Sequence, residues 1–189
     1  MGEPPTPGQT IGPFFGYALP YPGDRQLVPA GSPAAVLLHG RVLDGAGAPV
    51  PDALLEIGQA DPSGALTGRA GSLCRDGHTF TGWGRSATDR AGEYRFSTVL
   101  PGPAVPGRPP FLAMVVFARG LLDRLFTRVY LPGYEQQWPA DPLLASLPAE
   151  RRATLIATAD ATGLAFDVRL QGAGETVFLD FGGQAPPAG

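Results

Sequence analysis

From Phe111 to Phe117 the chain reads Phe-Leu-Ala-Met-Val-Val-Phe, and as a strand it would present hydrocarbon on both faces. One alternation set is Phe111, Ala113, Val115 and Phe117; the other is Leu112, Met114 and Val116. A strand of this kind needs a layer over each side, so it is predicted to lie centrally in a sheet. A turn at Gly120-Leu-Leu-Asp123 leads into Arg124–Tyr130, which does alternate. Leu125, Thr127 and Val129 face one way, while Arg124, Phe126, Arg128 and Tyr130 face the other. Aromatic rings mixed with guanidinium groups are commoner at interfaces and ligand pockets than on a bare wet sheet.

The rest of the chain supports more strands of the same length. Val36–Leu43, Pro51–Gln59, Gly92–Val99, Leu164–Gln171 and Thr176–Phe181 are apolar or alternating runs separated by turn residues. An Asp44-Gly45 turn suggests that Pro51–Gln59 returns beside Val36–Leu43 as a hairpin. With 27 Gly and 22 Pro in 189 residues, no periodic repeat and 43% hydrophobic residues, the composition fits short strands and tight turns better than disorder. The expectation is an all-β fold, a β-sandwich of about seven strands. Asp141-Pro142 is a helix-start pair and Ser146–Ile156 a better one, so one short helix is expected at Ser146–Ile156, with Ser146 as cap and Glu150 in the first turn. Ala60–Arg90 reads as one long irregular segment, of the kind that carries function or builds an interface.

Three regions are expected: an N-terminal arm over 1–33, the sandwich over 34–181 and a flexible tail over 182–189. In the arm, Pro and Gly every few positions forbid a helix, yet Ile11, Phe14, Phe15, Tyr17, Leu19 and Tyr21 are too apolar for a solvated tail. An extended segment lying on its own sandwich or on a partner satisfies both facts.

A net charge of -3 and a pI near 5.3 argue against a nucleic-acid partner. Cys74 is the single cysteine, no basic region followed by an apolar run opens the chain, and no window approaches the length of a membrane span; a cytoplasmic protein is expected. Cys74, Asp76 and His78 sit close together, but the only other histidine is His39, inside a strand, so a closed zinc site lacks ligands. There is no Gly-x-Ser-x-Gly nucleophile turn. Asp44, Asp61 and Asp89 fall in turns, where their side chains are expected to bond nearby backbone amides. Arg128, between Phe126 and Tyr130 on one face, either pairs with a carboxylate of its own chain or faces a pocket.

A resemblance sharpens these readings. Gln9-Thr-Ile-Gly-Pro-Phe14, Gly40-Arg-Val-Leu-Asp-Gly45, Leu55-Glu-Ile-Gly-Gln-Ala60, Gly84-Arg-Ser-Ala-Thr88, Ala91-Gly-Glu-Tyr-Arg-Phe96, Val99-Leu-Pro-Gly-Pro103, Phe117-Ala-Arg-Gly120, Thr127-Arg-Val-Tyr130 and Phe166–Phe181 resemble the intradiol ring-cleavage dioxygenases over nearly the whole chain. The likeness is greatest to the α-type chains of members built from two kinds of subunit. It implies a prealbumin-like sandwich and aromatic ring cleavage with O₂ at ferric iron, Fe(III), which catalytic chains hold with two Tyr and two His. At the matching positions this chain has Ala104, Phe111 and Ala113, Gln59 to Gly92 contains no Tyr, and the family's Trp before Gln59 is Gly58. Hydrocarbon offers no lone pair to a cation, so no metal site and no catalytic residue is expected in this chain. The resemblance instead implies a hetero-oligomer in which a β subunit binds the Fe(III). Thr10, Gly12, Pro13 and Arg128 would complete the pocket for protocatechuate, an acidic catechol cleaved to 3-carboxy-cis,cis-muconate, and Arg128 gains a pocket or interface role. The competing reading is a non-enzymatic β-sandwich module that binds a protein partner.

Overall fold

A computed structural model describes residues 18–29, 31–66 and 80–181. Its strands are β1 (Val36–Leu43), β2 (Leu54–Gln59), β3 (Trp83–Ala87), β4 (Glu93–Thr98), β5 (Phe111–Phe117), β6 (Leu125–Tyr130) and the short β7 (Thr158–Ala159), β8 (Gly163–Ala165) and β9 (Val168–Arg169). They form two sheets. One runs β4-β1-β8-β7 with β9 also on β1, and the other runs β3-β2-β5-β6. The β-sandwich expectation holds.

The core lies between the sheets. Leu38, Val42, Tyr94 and Phe96 from one inner face meet Leu55, Ile57, Leu112, Met114, Val116 and Val129 from the other. The strict alternation of β4 puts Tyr94, Phe96 and Thr98 inside, as the period-2 pattern predicts. A smaller core of Tyr130, Leu144, Leu155 and Val177 sits beside β6.

Several expectations need correction. The strand Pro51–Gln59 does not pair with β1: β2 crosses to the other sheet and pairs with β3 and β5. The Asp44 turn still closes, because Asp44 Oδ1 accepts from Ala46 N at 2.9 Å and Ala48 N at 2.8 Å. Asp61 and Asp89 build the same turn with the amides two and four residues on. The irregular 60–90 segment contains a strand, β3, whose alternation Trp-Gly-Arg-Ser-Ala is blurred by glycine. Thr176–Phe181 forms no ladder; it runs extended along β6, held by Leu179 N to Phe126 O at 2.7 Å and Thr127 Oγ1 to Val177 O at 2.8 Å. The single helix is replaced by three short turns: a 3-10 turn Glu135–Ala140, α1 (Pro142–Ser146) and α2 (Ala149–Ala153). Pro148 cannot donate to a carbonyl in the preceding turn, so Ser146 ends α1 and donates to Leu143 O.

β5 also departs from expectation on one side. It lies inside its sheet, between β2 and β6. Leu112, Met114 and Val116 are buried against the other sheet, but Ala113 is exposed and Phe111, Val115 and Phe117 are only half covered.

Candidate functional site

The outer face of β3-β2-β5-β6 carries the site, and strand register explains its shape. Trp83 pairs with Gly58, Gly58 with Ala113, and Ala113 with Arg128, giving one row across four strands. The two smallest residues stand in the middle of that row, so the sheet is hollow there. A Cβ placed on Gly58 would meet nothing within 4 Å. The hollow is a cavity of about 250 Å³ lined by Gly58, Gln59, Ala60, Leu66, Gly102, Ala104, Phe111 and Ala113.

Ala104 reaches the cavity because Gly102 lets the chain press on the turn at 62–64. A Cβ at Gly102 would lie 2.4 Å from Pro62 O, and Gly102 N donates to Asp61 O at 2.9 Å. The polar side chain in the lining is already committed: Gln59 donates to Val99 O and Ala60 O and accepts from Thr98 Oγ1. The three positions that the resemblance assigns to iron ligands, Ala104, Phe111 and Ala113, therefore line one cavity, and none of them supplies a donor atom. Ferric iron prefers anionic oxygen and imidazole donors, so these residues do not fit it. Among the described residues no group of three or more His, Cys, Asp or Glu could hold a metal ion.

Arg128 stands next to two lining residues, paired with Ala113 across β5 and β6 and lying over Phe111. Its guanidinium carbon is 4.2 Å from the centroid of the Phe111 ring, a cation–π stack. Nη1 donates to Tyr130 Oη at 3.0 Å and lies 3.6 Å from Asp141 Oδ2. The Arg128 side chain is 31% exposed and that of Asp141 only 3%. Burial pushes the Tyr130 phenol up to about 12, against an opposing pull from Arg128, so Tyr130 stays neutral and able to accept. Of the two readings the sequence leaves open for Arg128, the structure shows the intramolecular carboxylate, Asp141. Thr10, Gly12 and Pro13 lie outside the described residues, as do Cys74 and His78.

Sequence reasoning missed Asp141 as the partner of Arg128. Tyr130, two residues on in a strand, could have been read from same-face spacing, whereas Asp141 reaches Arg128 only because the 3-10 turn and α1 fold back over β6. It also missed the half-buried pair on the next row, Arg85 with Glu56. Arg85 Nε donates to Glu56 Oε1 at 2.9 Å, and Nη1 donates to Leu19 O at 2.6 Å, which ties the described end of the N-terminal segment to the sheet. On the opposite sheet His39 Nε2 lies 3.0 Å from Asp160 Oδ2 and 2.8 Å from Thr162 Oγ1. Hydrogen bonds from Thr162 and Gly163, with His39 nearby, hold the Asp160 carboxyl down at about 2. This clasp is remote from the cavity.

The Dioxygenase family model matches residues 11–172. The chain is 40% identical over 192 residues to the protocatechuate 3,4-dioxygenase alpha chain of Burkholderia cepacia, covering 93% of this chain and 96% of that one. It belongs to the intradiol dioxygenase family. The protocatechuate 3,4-dioxygenase alpha chain of Pseudomonas putida is 38% identical over 94% of this chain and 97% of its own. The beta chain from Burkholderia cepacia is 32% identical over 72% of this chain and 64% of its own, so both kinds of subunit are relatives. Among solved structures, the dioxygenase domain of a Streptomyces carbohydrate-binding fusion superposes with a TM-score of 0.58 at 27% identity, covering 89% of this chain and 99% of that domain. Catechol 1,2-dioxygenase from Acinetobacter shares the fold, with a TM-score of 0.55 at 21% identity over 76% of this chain and 55% of its own. Intradiol dioxygenases use Fe(III), and membership disfavours the free-standing binding module. No helix among the described residues is long and apolar enough to cross a membrane.

Proposed function

We propose that this chain is the α-type subunit of a cytoplasmic protocatechuate 3,4-dioxygenase, acting with a β-type chain that holds the Fe(III). One observation carries the reading: the positions at which a catalytic intradiol chain would place its ligands gather around a cavity of hydrocarbon, so the reactive centre has to come from a relative. The metal would activate the bound catechol toward O₂; no step of that chemistry runs through residues of this chain. The role of this polypeptide is to complete the pocket from across the interface. Thr10, Gly12 and Pro13 would be delivered by the arm over 1–33, and Arg128 from β6 would face the substrate. A guanidinium suits an aromatic carboxylate because its planar donors match two oxygens and its charge is permanent. Two further features support the reading. Phe111 and Tyr130 hold the Arg128 side chain beside the cavity lining, and β5 presents a half-covered apolar row of the kind that a partner chain seals.

Co-production with the β-type chain tests the proposal. Iron content and catechol-dependent O₂ uptake are measured for each chain alone and for the pair. Activity confined to complexes containing the β-type chain, with iron in proportion to that chain, is the expected result. Stoichiometric ferric iron with the visible phenolate-to-iron absorption in this chain alone, or failure of the two chains to associate, would overturn it.

A further inference from the structure

We propose that Asp141 is a positioning residue for Arg128, fixing the direction in which the guanidinium is presented to a carboxylated ring; this deepens, and rests on, the reading of Arg128 as a substrate contact.

The carboxylate of Asp141 is divided between two tasks. Oδ1 accepts from Leu143 N at 2.9 Å and Leu144 N at 3.1 Å and so caps α1. Oδ2 faces Arg128 Nη1 at 3.6 Å, beyond hydrogen-bond length but within ion-pair range. A carboxylate this deeply buried needs its charge compensated; the helix amides serve one of its oxygens, and the Tyr130 hydroxyl, which also hydrogen-bonds Asp141, is neutral, so Arg128 is the cation beside it. If Arg128 swung away, the carboxylate would keep its neutral donors but lose its counter-charge in a buried site. The pairing therefore restrains the more exposed of the two side chains.

The restraint is directional. The guanidinium carbon lies over the Phe111 ring and Tyr130 Oη accepts one Nη1 proton. With one face and one corner occupied, the remaining N–H groups make no hydrogen bond among the described residues. They are left for a ligand. A preorganised guanidinium loses less freedom when an anion arrives, which lowers KM for substrates carrying that anion and does little for those without it.

Asp141→Asn isolates this role, because Asn caps a helix as well as Asp and keeps an oxygen for Leu143 and Leu144 while removing the charge facing Arg128. The reconstituted two-chain enzyme is assayed with protocatechuate and with unsubstituted catechol, for Asp141→Asn, Arg128→Ala and the double variant, and the Asp141→Asn complex is crystallised. The expected rise in KM for protocatechuate is roughly tenfold, the loss of one charge-assisted contact, with kcat and the KM for catechol within about twofold and the double variant no worse than Arg128→Ala. In the crystal the guanidinium should leave the Phe111 ring. Unchanged KM for protocatechuate with Arg128→Ala impaired, equal losses for both substrates, or additive losses would overturn the positioning role. If Arg128→Ala itself leaves KM for protocatechuate unaltered, the substrate reading of Arg128 falls. The crystal then decides the positioning role alone, and a guanidinium still stacked on Phe111 refutes it.

Discussion

Gly40→Ala and Gly58→Ala make the same chemical change in two strands of the same sandwich, and the structure assigns them opposite outcomes. Gly40 faces the kink between β8 and β9. A Cβ there would lie 1.9 Å from Phe166 O and 2.6 Å from Phe166 C, so backbone must part by about 1 Å to reach even a tight contact. Phe166 O is also the acceptor for the buried Tyr94 hydroxyl at 2.5 Å, and Phe166 N donates to His39 O at 2.8 Å. Overpacking of this kind costs about 1–3 kcal/mol. Stripping the Tyr94 hydroxyl of its acceptor costs about 1–3 kcal/mol more. A total near 3 kcal/mol corresponds to a fall in Tm of about 6–12 °C for a chain of this size. Gly58 has no positive φ and open space above it, so Gly58→Ala should stay within about 0.5 kcal/mol of the parent. Thermal melts followed by circular dichroism compare the two, with Tyr94→Phe as a third variant. The double variant Gly40→Ala/Tyr94→Phe should lose less than the sum of its parts, since both changes remove the same bond. A Gly40→Ala protein that melts with the parent would refute the argument that Gly40 is there to admit the Phe166 carbonyl.

Arg128→Ala should raise KM for protocatechuate while leaving the two chains associated; loss of assembly with unaltered kinetics in the residual complex would contradict the pocket role. Glu56→Gln should destabilise the fold by about 1–3 kcal/mol, because it removes the counter-charge of the half-buried Arg85 guanidinium; a denaturant melt reads the loss, and limited proteolysis should cut sooner near Leu19, whose carbonyl Arg85 holds. Tyr130 titrates at about 12 in the fold against 10.0 for the free phenol, so the folded state holds its proton more tightly. Its stabilising contribution is complete below about pH 10 and is lost as pH rises toward 12. Tyr130→Phe should therefore flatten the alkaline limb of the stability profile, and an unchanged limb would show that another group controls it.

Much of this was legible in the residues. The boundaries of β1 and the inward set of β4 follow from alternation, and the three Asp turns follow from the capacity of a short carboxylate to bond amides two and four residues ahead. The places where reading failed share a cause, namely that the deciding contact lies far away in sequence. β2 leaves β1 to pair with β3 and β5 in the opposite sheet, a placement that no local turn signal encodes. The expected helix at Ser146–Ile156 survives only as α2, which Pro148 rather than Ser146 precedes. For the site, the vacancy at Ala104, Phe111 and Ala113 could be read from the residues beside a family pattern. The convergence of the three on one hollow, and the reach of Asp141 to Arg128, needed the third dimension.

The half-covered row on β5, Ala113 with Val115 and Phe117, has a consequence beyond the catalytic cycle. Copies made in excess of whatever seals that row would show hydrocarbon to chaperones and proteases and be cleared or precipitate. If the proposed β-type chain seals the row, balanced synthesis of the two polypeptides becomes a demand that the sheet itself places on the cell.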